Sequence, residues 1–318
     1  MRRLKNQSIS QTRLIRRCRD KTKGDRFILK FRPNKSVPFG FIPAAKMRVF
    51  ILLLSLLVSV QVTTASPEPE LFDGHIHYSS DVWDKLSPQR ALELLSEAGI
   101  TRALVSGTPG EGAERLYRAA PERVVPFLRP YSSLRHRYTW SRDVAVMDYL
   151  HEQLARIPYR GIGEFHLFGE DVHNPIVTEV VALARRQDLA LHAHTDETGI
   201  RVLLTQAPDI PVIWAHGGFD VSETILRELL EQHEQLYIEL SFREGITLEG
   251  RLMSQWEQLM TDFQTRFLVG MDTYTPGRWL ELPELAAAAR GWLAQLPTEV
   301  AHDIAYGNAA RLFPVVNK

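Results

Sequence analysis

Short apolar runs of strand length alternate with longer amphipathic stretches from Leu71 to the end of the chain. The runs fall at residues 71–77, 101–106, 124–129, 160–166, 189–194, 211–216, 236–242 and 267–272. Between them, apolar residues recur at helical spacing, as at Leu252, Trp256 and Leu259. Strands that alternate with helices are typical of a parallel sheet. Eight such units predict an α/β fold, a (β/α)8 TIM barrel.

The first 66 residues follow a different pattern. An apolar run of 12 residues, 49–60, follows two basic residues and precedes small residues that end near Ala65. This layout is typical of a secretory signal peptide cleaved after Ala65, and the run is shorter than the roughly 20 apolar residues of a membrane-spanning helix. We therefore predict a basic leader and signal peptide over residues 1–66 and a single barrel domain over residues 67–318.

The predicted signal peptide implies an exported protein, either periplasmic or secreted, with no permanent membrane anchor. Whether translation starts at the first residue or at Met47, where a signal peptide would naturally begin, stays open.

Charge separates the same two parts of the chain. The first 66 residues hold 15 Lys/Arg and two acidic residues, so the other 252 hold 23 basic and 36 acidic side chains, although the formal net charge of the whole chain is zero. The barrel part is therefore acidic, which opposes binding to a polyphosphate backbone, and no nucleic-acid partner is expected.

Cysteine and lysine are scarce in the predicted barrel. The one cysteine, Cys18, lies in the leader, so the barrel can form no disulfide and offers no thiolate nucleophile. After residue 66 only Lys85 and Lys318 remain, and neither lies in a predicted strand. This excludes a Schiff-base lysine in the barrel core.

Histidine and acidic residues fall at the carboxyl ends of five predicted strands, where TIM barrels build their active sites. These residues are His75 and His77 on the first strand, Glu164 and His166 on the fourth, His192 and His194 on the fifth, His216 on the sixth and Asp272 on the eighth. Imidazoles with a carboxylate are typical ligands of a divalent metal. Zinc is the default ion, although manganese, iron and cobalt accept similar ligands, and the number of ions, one or two, stays open.

This pattern resembles the amidohydrolase superfamily, which has His-x-His after strand one, single histidines after strands five and six, and aspartate after strand eight. The segments Ala215–Gly218, Gly270–Asp272 and Gly307–Phe313 are similar to its amidohydrolase-related branch, which holds both hydrolases and metal-dependent decarboxylases. The resemblance runs from Leu71 to Phe313.

The resemblance implies a role for each strand-end residue. His75, His77 and His194 would be metal ligands, Asp272 a ligand and general base, and His216 either a ligand or the group that polarises the substrate carbonyl. Many members bridge two metals with a carboxylated lysine after strand four, which this chain lacks. Glu164 would bridge two ions instead, or would bind substrate or orient a ligand histidine.

The functional interpretation of four residues is less specific. Arg129 and Arg243 follow strands three and seven and would clamp a substrate carboxylate, although such arginines often form only surface ion pairs. His166 would face the substrate or support a ligand. His192 lies deeper on its strand than His194, which favours a side chain packed in the interior or one that supports a ligand.

The resulting hypothesis is a metal-dependent hydrolase that acts on an amide, ester or lactone of a small molecule. A decarboxylase of the same superfamily is the alternative, and a barrel deoxyribonuclease or a non-catalytic scaffold is less favoured. The sequence leaves a homo-oligomer open.

Overall fold

The computed structural model describes residues 69–315, so the predicted leader, the signal peptide and the cleavage after Ala65 lie outside the described residues. Eight parallel strands lie side by side in chain order. They are β1 (Leu71–His77), β2 (Ile100–Ser106), β3 (Val124–Leu128), β4 (Gly161–Leu167), β5 (Ala190–Thr195), β6 (Val212–Trp214), β7 (Leu236–Glu239) and β10 (Phe267–Leu268). A short antiparallel hairpin, β8 (Thr247–Leu248) with β9 (Arg251–Leu252), lies between β7 and β10 in the chain.

Hydrogen bonds between β1 and the segment after β10 close the sheet. The Gly74 amide donates to Val269 O at 2.8 Å, and the Asp272 amide donates to His75 O at 2.7 Å. Further along, the His77 amide donates to Thr273 O at 2.8 Å. The predicted (β/α)8 barrel is therefore confirmed.

Helices occupy the segments between the strands. They are α1 (Ser80–Trp83), α2 (Pro88–Glu97), α3 (Glu111–Ala119), α4 (Ala145–Leu154), α5 (Pro175–Arg186), α6 (Glu197–Gln206), α7 (Glu223–Gln232), α8 (Ser254–Asp262), α9 (Pro276–Leu280), α10 (Leu282–Leu293), α11 (Thr298–His302) and α12 (Asn308–Leu312). Ser87 caps α2 by accepting a hydrogen bond from the Arg90 amide, with Pro88 at the first helical position. Within residues 69–315, no helix combines the length and the apolarity needed to cross a membrane.

Apolar side chains from seven strands and α12 form a small cluster in which Phe313 packs edge-on against Phe127, with ring centroids 5.5 Å apart. Asn308 fixes α12 because its Nδ2 donates to Gln264 O and to Phe267 O at 2.7 Å each. The segment Gly307–Phe313 thus contributes to the core of the barrel.

Three strands end two or more residues earlier than the sequence predicts. The predicted seventh strand ends at residue 242, whereas β7 ends at Glu239. The predicted sixth strand ends at residue 216 and the eighth at 272, whereas β6 ends at Trp214 and β10 at Leu268. His216 and Asp272 themselves have φ values of 59° and 44°, in the left-handed region that side chains rarely adopt. Both candidate ligands therefore lie on turns at the rim of the barrel.

Candidate metal centre

Three potential ligand atoms meet at the carboxyl end of the barrel. His75 Nε2 and His77 Nε2 are 3.0 Å apart, and Asp272 Oδ1 is 3.6 Å from the first and 3.2 Å from the second. All three residues are buried. Tetrahedral ligands at 2.0–2.1 Å from a zinc ion would lie about 3.3 Å from one another. The spacing therefore fits a metal ion.

Hydrogen bonds determine which ring nitrogens carry lone pairs. His75 Nδ1 is 2.7 Å from Glu239 Oε2, and because a carboxylate oxygen only accepts, Nδ1 is the donor and Nε2 is left free to bind a metal. Asp272 Oδ1 is buried and has no hydrogen-bond partner among the described residues. An unpaired carboxylate oxygen directed at two imidazole nitrogens indicates that a cation belongs between them.

Glu164, on β4, faces two groups of histidines. Its Oε2 lies 3.1 Å from His77 Nε2, and its Oε1 lies 2.7 Å from His194 Nδ1 and 3.5 Å from His216 Nε2. Burial alone would raise the pKa of Glu164, but the charge on His75 and the hydrogen bonds from His194 and His216 hold it well below its usual range. This geometry is compatible with the predicted bridge between two ions, and the number of ions stays a prediction.

His216 turns one ring nitrogen away from the centre. Its Nδ1 lies 2.9 Å from Ser241 O, a carbonyl that can only accept, so Nδ1 carries a proton. Its Nε2 faces Glu164 Oε1 at 3.5 Å. Burial alone would lower the pKa of His216, but the hydrogen bond to Glu164 and the charge of Glu239 raise it above its usual value. Both predicted roles of His216, as a metal ligand and as the group that polarises the substrate carbonyl, stay predictions.

Buried charges at the centre do not balance. Glu164, Glu239 and Asp272 bring three carboxylates. Among residues 69–315, only Arg129, whose Nη2 is 2.6 Å from Glu164 Oε2, brings a permanent positive charge to the centre. Burial raises the pKa of a fourth carboxyl, Asp73, to about 8, so that it is mostly neutral. With neutral imidazoles the centre carries two surplus negative charges, which a divalent ion would compensate.

The protonation of His75 reflects the same surplus. Burial alone would lower its pKa, but Asp272, Glu239 and Glu164 together hold it well above its usual range. Burial alone would raise the pKa of Glu239, but the charge on His75 and its hydrogen bond lower that pKa to about 2. Without a metal, a proton on His75 supplies part of the missing positive charge, and a metal ion would displace that proton.

Sequence reasoning missed Glu239, which ends β7 and is fully buried. Besides His75 Nδ1, its Oε2 accepts from the His216 amide at 3.2 Å and from Ser241 Oγ at 3.0 Å. Gly270 makes room for it, because a Cβ atom there would overlap Glu239 Oε1. A lone acidic residue within an otherwise apolar strand was the available signal.

We expect Glu239→Gln to weaken metal binding by about 10- to 100-fold, as is typical when the carboxylate behind a ligand histidine is removed. The amide can present its NH₂ group to His75, which favours the tautomer with the proton on Nε2. The metal dissociation constant, measured by competition with a chromophoric chelator, checks this. Glu234→Gln, in the turn before β7, is the control, and equal affinities for both variants would contradict the role of Glu239.

His166 and His192 lie on either side of the candidate ligands. His166 stacks on His194, with ring centroids 4.2 Å apart, and lines the pocket described below. Burial lowers the pKa of His166 to about 3, so its ring is neutral. His192 is fully buried between Phe127 and His75, with centroids at 6.3 and 4.5 Å, which agrees with its expected packed position.

The two arginines differ in where their guanidinium groups lie. Arg129 is buried at the centre, where it donates to His77 Nε2 at 3.0 Å as well as to Glu164. Arg243 instead donates to backbone carbonyls of the loop after β6, at Gly217, Phe219 and Val221. The contacts of Arg243 therefore favour a structural role over the predicted clamp on a substrate carboxylate.

A pocket opens above these residues, with a cavity volume of about 380 Å³. His77, Arg129, Glu164, His166, His194, His216 and Asp272 line its floor and wall. Its size matches that of pockets for small molecules.

Comparison with solved structures supports the fold. An uncharacterised TIM-barrel protein from Bordetella bronchiseptica has a TM-score of 0.57 at 14% identity, over 76% of this chain and 98% of its own. A putative 2-pyrone-4,6-dicarboxylic acid hydrolase from Pseudomonas putida has a TM-score of 0.53 at 15% identity, over 77% of this chain and 97% of its own. An enamidase described as a new member of the amidohydrolase superfamily has a TM-score of 0.49 at 14% identity, over 78% of this chain and 68% of its own.

These likenesses show the fold. No family model matches the sequence, and no curated protein is significantly similar to it.

Proposed function

We propose that the protein is a metal-dependent hydrolase of the amidohydrolase superfamily, acting on an amide, ester or lactone of a small molecule. The observation that carries this proposal is the buried centre of His75, His77 and Asp272, whose facing atoms lie 3.0–3.6 Å apart with surplus negative charge around them. The bound metal is proposed to be zinc, as one or two ions, with His194, His216 and Glu164 as further ligands of the centre.

When bound, a divalent ion supplies Lewis acidity, which polarises a carbonyl and makes water nucleophilic near neutral pH. The chain's own residues supply the proton transfers. Burial alone would raise the pKa of Asp272, but His75 and His77 hold it well below its usual range, so its carboxylate is available as a base. Asp272 would take a proton from the attacking water and return it to the leaving group.

The guanidinium group of Arg129 fixes the orientation of Glu164. Its Nε donates to Glu164 O at 3.0 Å while its Nη2 binds Oε2, so backbone and side chain of Glu164 are fixed together. Because Arg129 also lines the pocket, it remains the better of the two arginines for a contact with a substrate oxygen.

Decarboxylation is the alternative that shares these ligands. Hydrolysis is the first choice because the predicted export would expose the enzyme to compounds that arrive from outside the cell, where hydrolysis is a common reaction. The putative hydrolase from Pseudomonas putida has the same fold and is compatible with this choice. Export to the periplasm or the medium stays a prediction.

Two measurements on the purified protein test the proposal. Elemental analysis should find at least one equivalent of a divalent metal per chain. A panel of esters, lactones, amides and carboxylic acids should then give metal-dependent hydrolysis without release of CO₂. Release of CO₂ from a carboxylic acid would establish the lyase instead, and a metal-free protein that is inactive on the whole panel would favour a binding scaffold.

A further inference from the structure

Five exposed aromatic side chains lie at or beside the pocket. Three of them line it, and the other two contact His166 or His194, which line it. Phe and Tyr side chains elsewhere in residues 69–315 are buried or partly buried, whereas these five are 39–53% exposed. We call them the aromatic arc: Tyr138, Phe168, Phe219, Phe242 and Tyr274. Exposed apolar side chains gathered in one place mark a binding surface.

The arc is continuous with the histidines of the centre. Phe219 lies over His216, with ring centroids 4.4 Å apart, and 5.0 Å from His194. Phe168 lies 5.6 Å from His194, and Phe242 lies 6.0 Å from His216. The rings therefore extend the pocket wall outward from the residues that would hold the metal.

The outer rings complete the arc on both sides. Tyr138 lies 6.4 Å from Phe168, and Tyr274 lies 6.4 Å from Phe242. The guanidinium of Arg278 covers Phe242, 4.0 Å from its ring centre. Aromatic faces set side by side around one opening offer stacking and edge contacts to a planar ring.

Backbone conformation gives a second, independent observation. Phe219 and Phe242 have φ values of 60° and 52°, in the left-handed region that bulky side chains seldom adopt. Such outliers cluster at functional sites, where the rest of the fold holds them in place. Here the unfavourable conformation places two phenyl rings beside His216.

From these observations we infer that the substrate carries an aromatic or planar unsaturated ring next to the carbonyl group that reacts, and that Phe219 and Phe242 select for it. This inference rests on the proposed function, because it assumes that the carbonyl is directed at the metal centre. The arc holds the ring, and the centre holds the carbonyl.

Three hydroxamic acids distinguish binding to the metal from binding to the aromatic arc, because all three carry the same chelating group and differ only in the ring. Acetohydroxamic acid reports on the metal alone, benzohydroxamic acid adds a planar ring next to the carbonyl, and cyclohexanecarbohydroxamic acid adds a ring of similar size that is not planar. Dissociation constants for the zinc-loaded protein are measured by calorimetry. We expect the phenyl compound to bind at least about tenfold more tightly than either of the others.

Variants then assign the preference to the arc. Phe219→Ala and Phe242→Ala should each lower the phenyl preference, taken as the ratio of the affinities for the phenyl compound and for acetohydroxamic acid in the same variant, to about threefold or less. Tyr274→Ala tests the arc at a position with an ordinary φ, and Leu280→Ala, on the exposed end of α9, is the control that should change nothing. Melting temperatures verify that each variant is folded.

Each possible result either supports the inference or contradicts it. Equal binding of the phenyl and cyclohexyl compounds would show that the arc selects for apolar bulk only, and equal binding of all three would overturn a role of the arc in specificity. Either result leaves the proposed function intact if acetohydroxamic acid binds. If none of the three binds the zinc-loaded protein, the proposed function fails, and the inference fails with it.

Discussion

Asp272→Asn should lower kcat by about 10²- to 10⁴-fold on the substrate that the panel identifies, the range typical of losing a general base. Asparagine keeps an oxygen where Asp272 Oδ1 lies, 3.2 Å from His77 Nε2, but cannot take a proton from water. KM should change little, because the lost interaction belongs to the transition state. Steady-state kinetics on the zinc-loaded variant measure both constants.

The control for this substitution is Asp81→Asn. Asp81 lines the same pocket but is exposed and lies outside the group of candidate ligands. Its loss removes one negative charge from the mouth without removing the base, so kcat should stay within about threefold of the original value. A full kcat for Asp272→Asn at full zinc occupancy would eliminate Asp272 as the base.

Periodicity was sufficient to predict the barrel. Each strand is buried against helices on one side and the barrel interior on the other, so apolar runs such as 189–194 stand out from the helical spacing around them. The ends of β6, β7 and β10 were placed too late by two, three and four residues. Apolar content does not reveal where a left-handed residue such as His216 turns the chain.

Sequence also located the candidate ligands, because a residue at the end of one parallel strand must lie near the residues that end its neighbours. It could not identify what holds them. The contact between Glu239 and His75 joins residues 164 positions apart, and nothing local in the chain indicates it. The contacts of Arg243 were hidden for a related reason, since hydrogen bonds to the backbone of a neighbouring loop leave no pattern in the sequence.

The structure also shows that the histidines lie at different depths in the barrel, which their spacing in the sequence only suggested. His192, His75 and His77 succeed one another from the core outward, with ring centroids 4.5 and 4.8 Å apart. Both ring nitrogens of His192 lack a hydrogen-bond partner among residues 69–315, and burial holds its pKa well below the usual range. The polar centre therefore begins at His75, directly above the apolar cluster.

His77→Ala should abolish stoichiometric metal binding. The substitution removes Nε2, which lies within 3.0–3.2 Å of His75 Nε2, Asp272 Oδ1 and Glu164 Oε2, and no other side chain on β1 can replace it. The methyl group of alanine also leaves Ser106 Oγ without the partner it has 2.8 Å away. Elemental analysis after gel filtration should fall from at least one equivalent of metal per chain to below about 0.1, as expected when one of few ligands is lost.

His166→Ala is the matched comparison, because this ring also lies near Glu164 and His194 in a group that could hold a metal. Its Nδ1 is 3.5 Å from the Tyr131 hydroxyl, and its ring stacks on His194 instead of facing the His75–His77 pair. The His166→Ala variant should therefore retain its metal while His77→Ala loses it. If the His166 variant lost the metal and the His77 variant kept it, the ion would belong beside His194, and the centre built on β1 would be wrong.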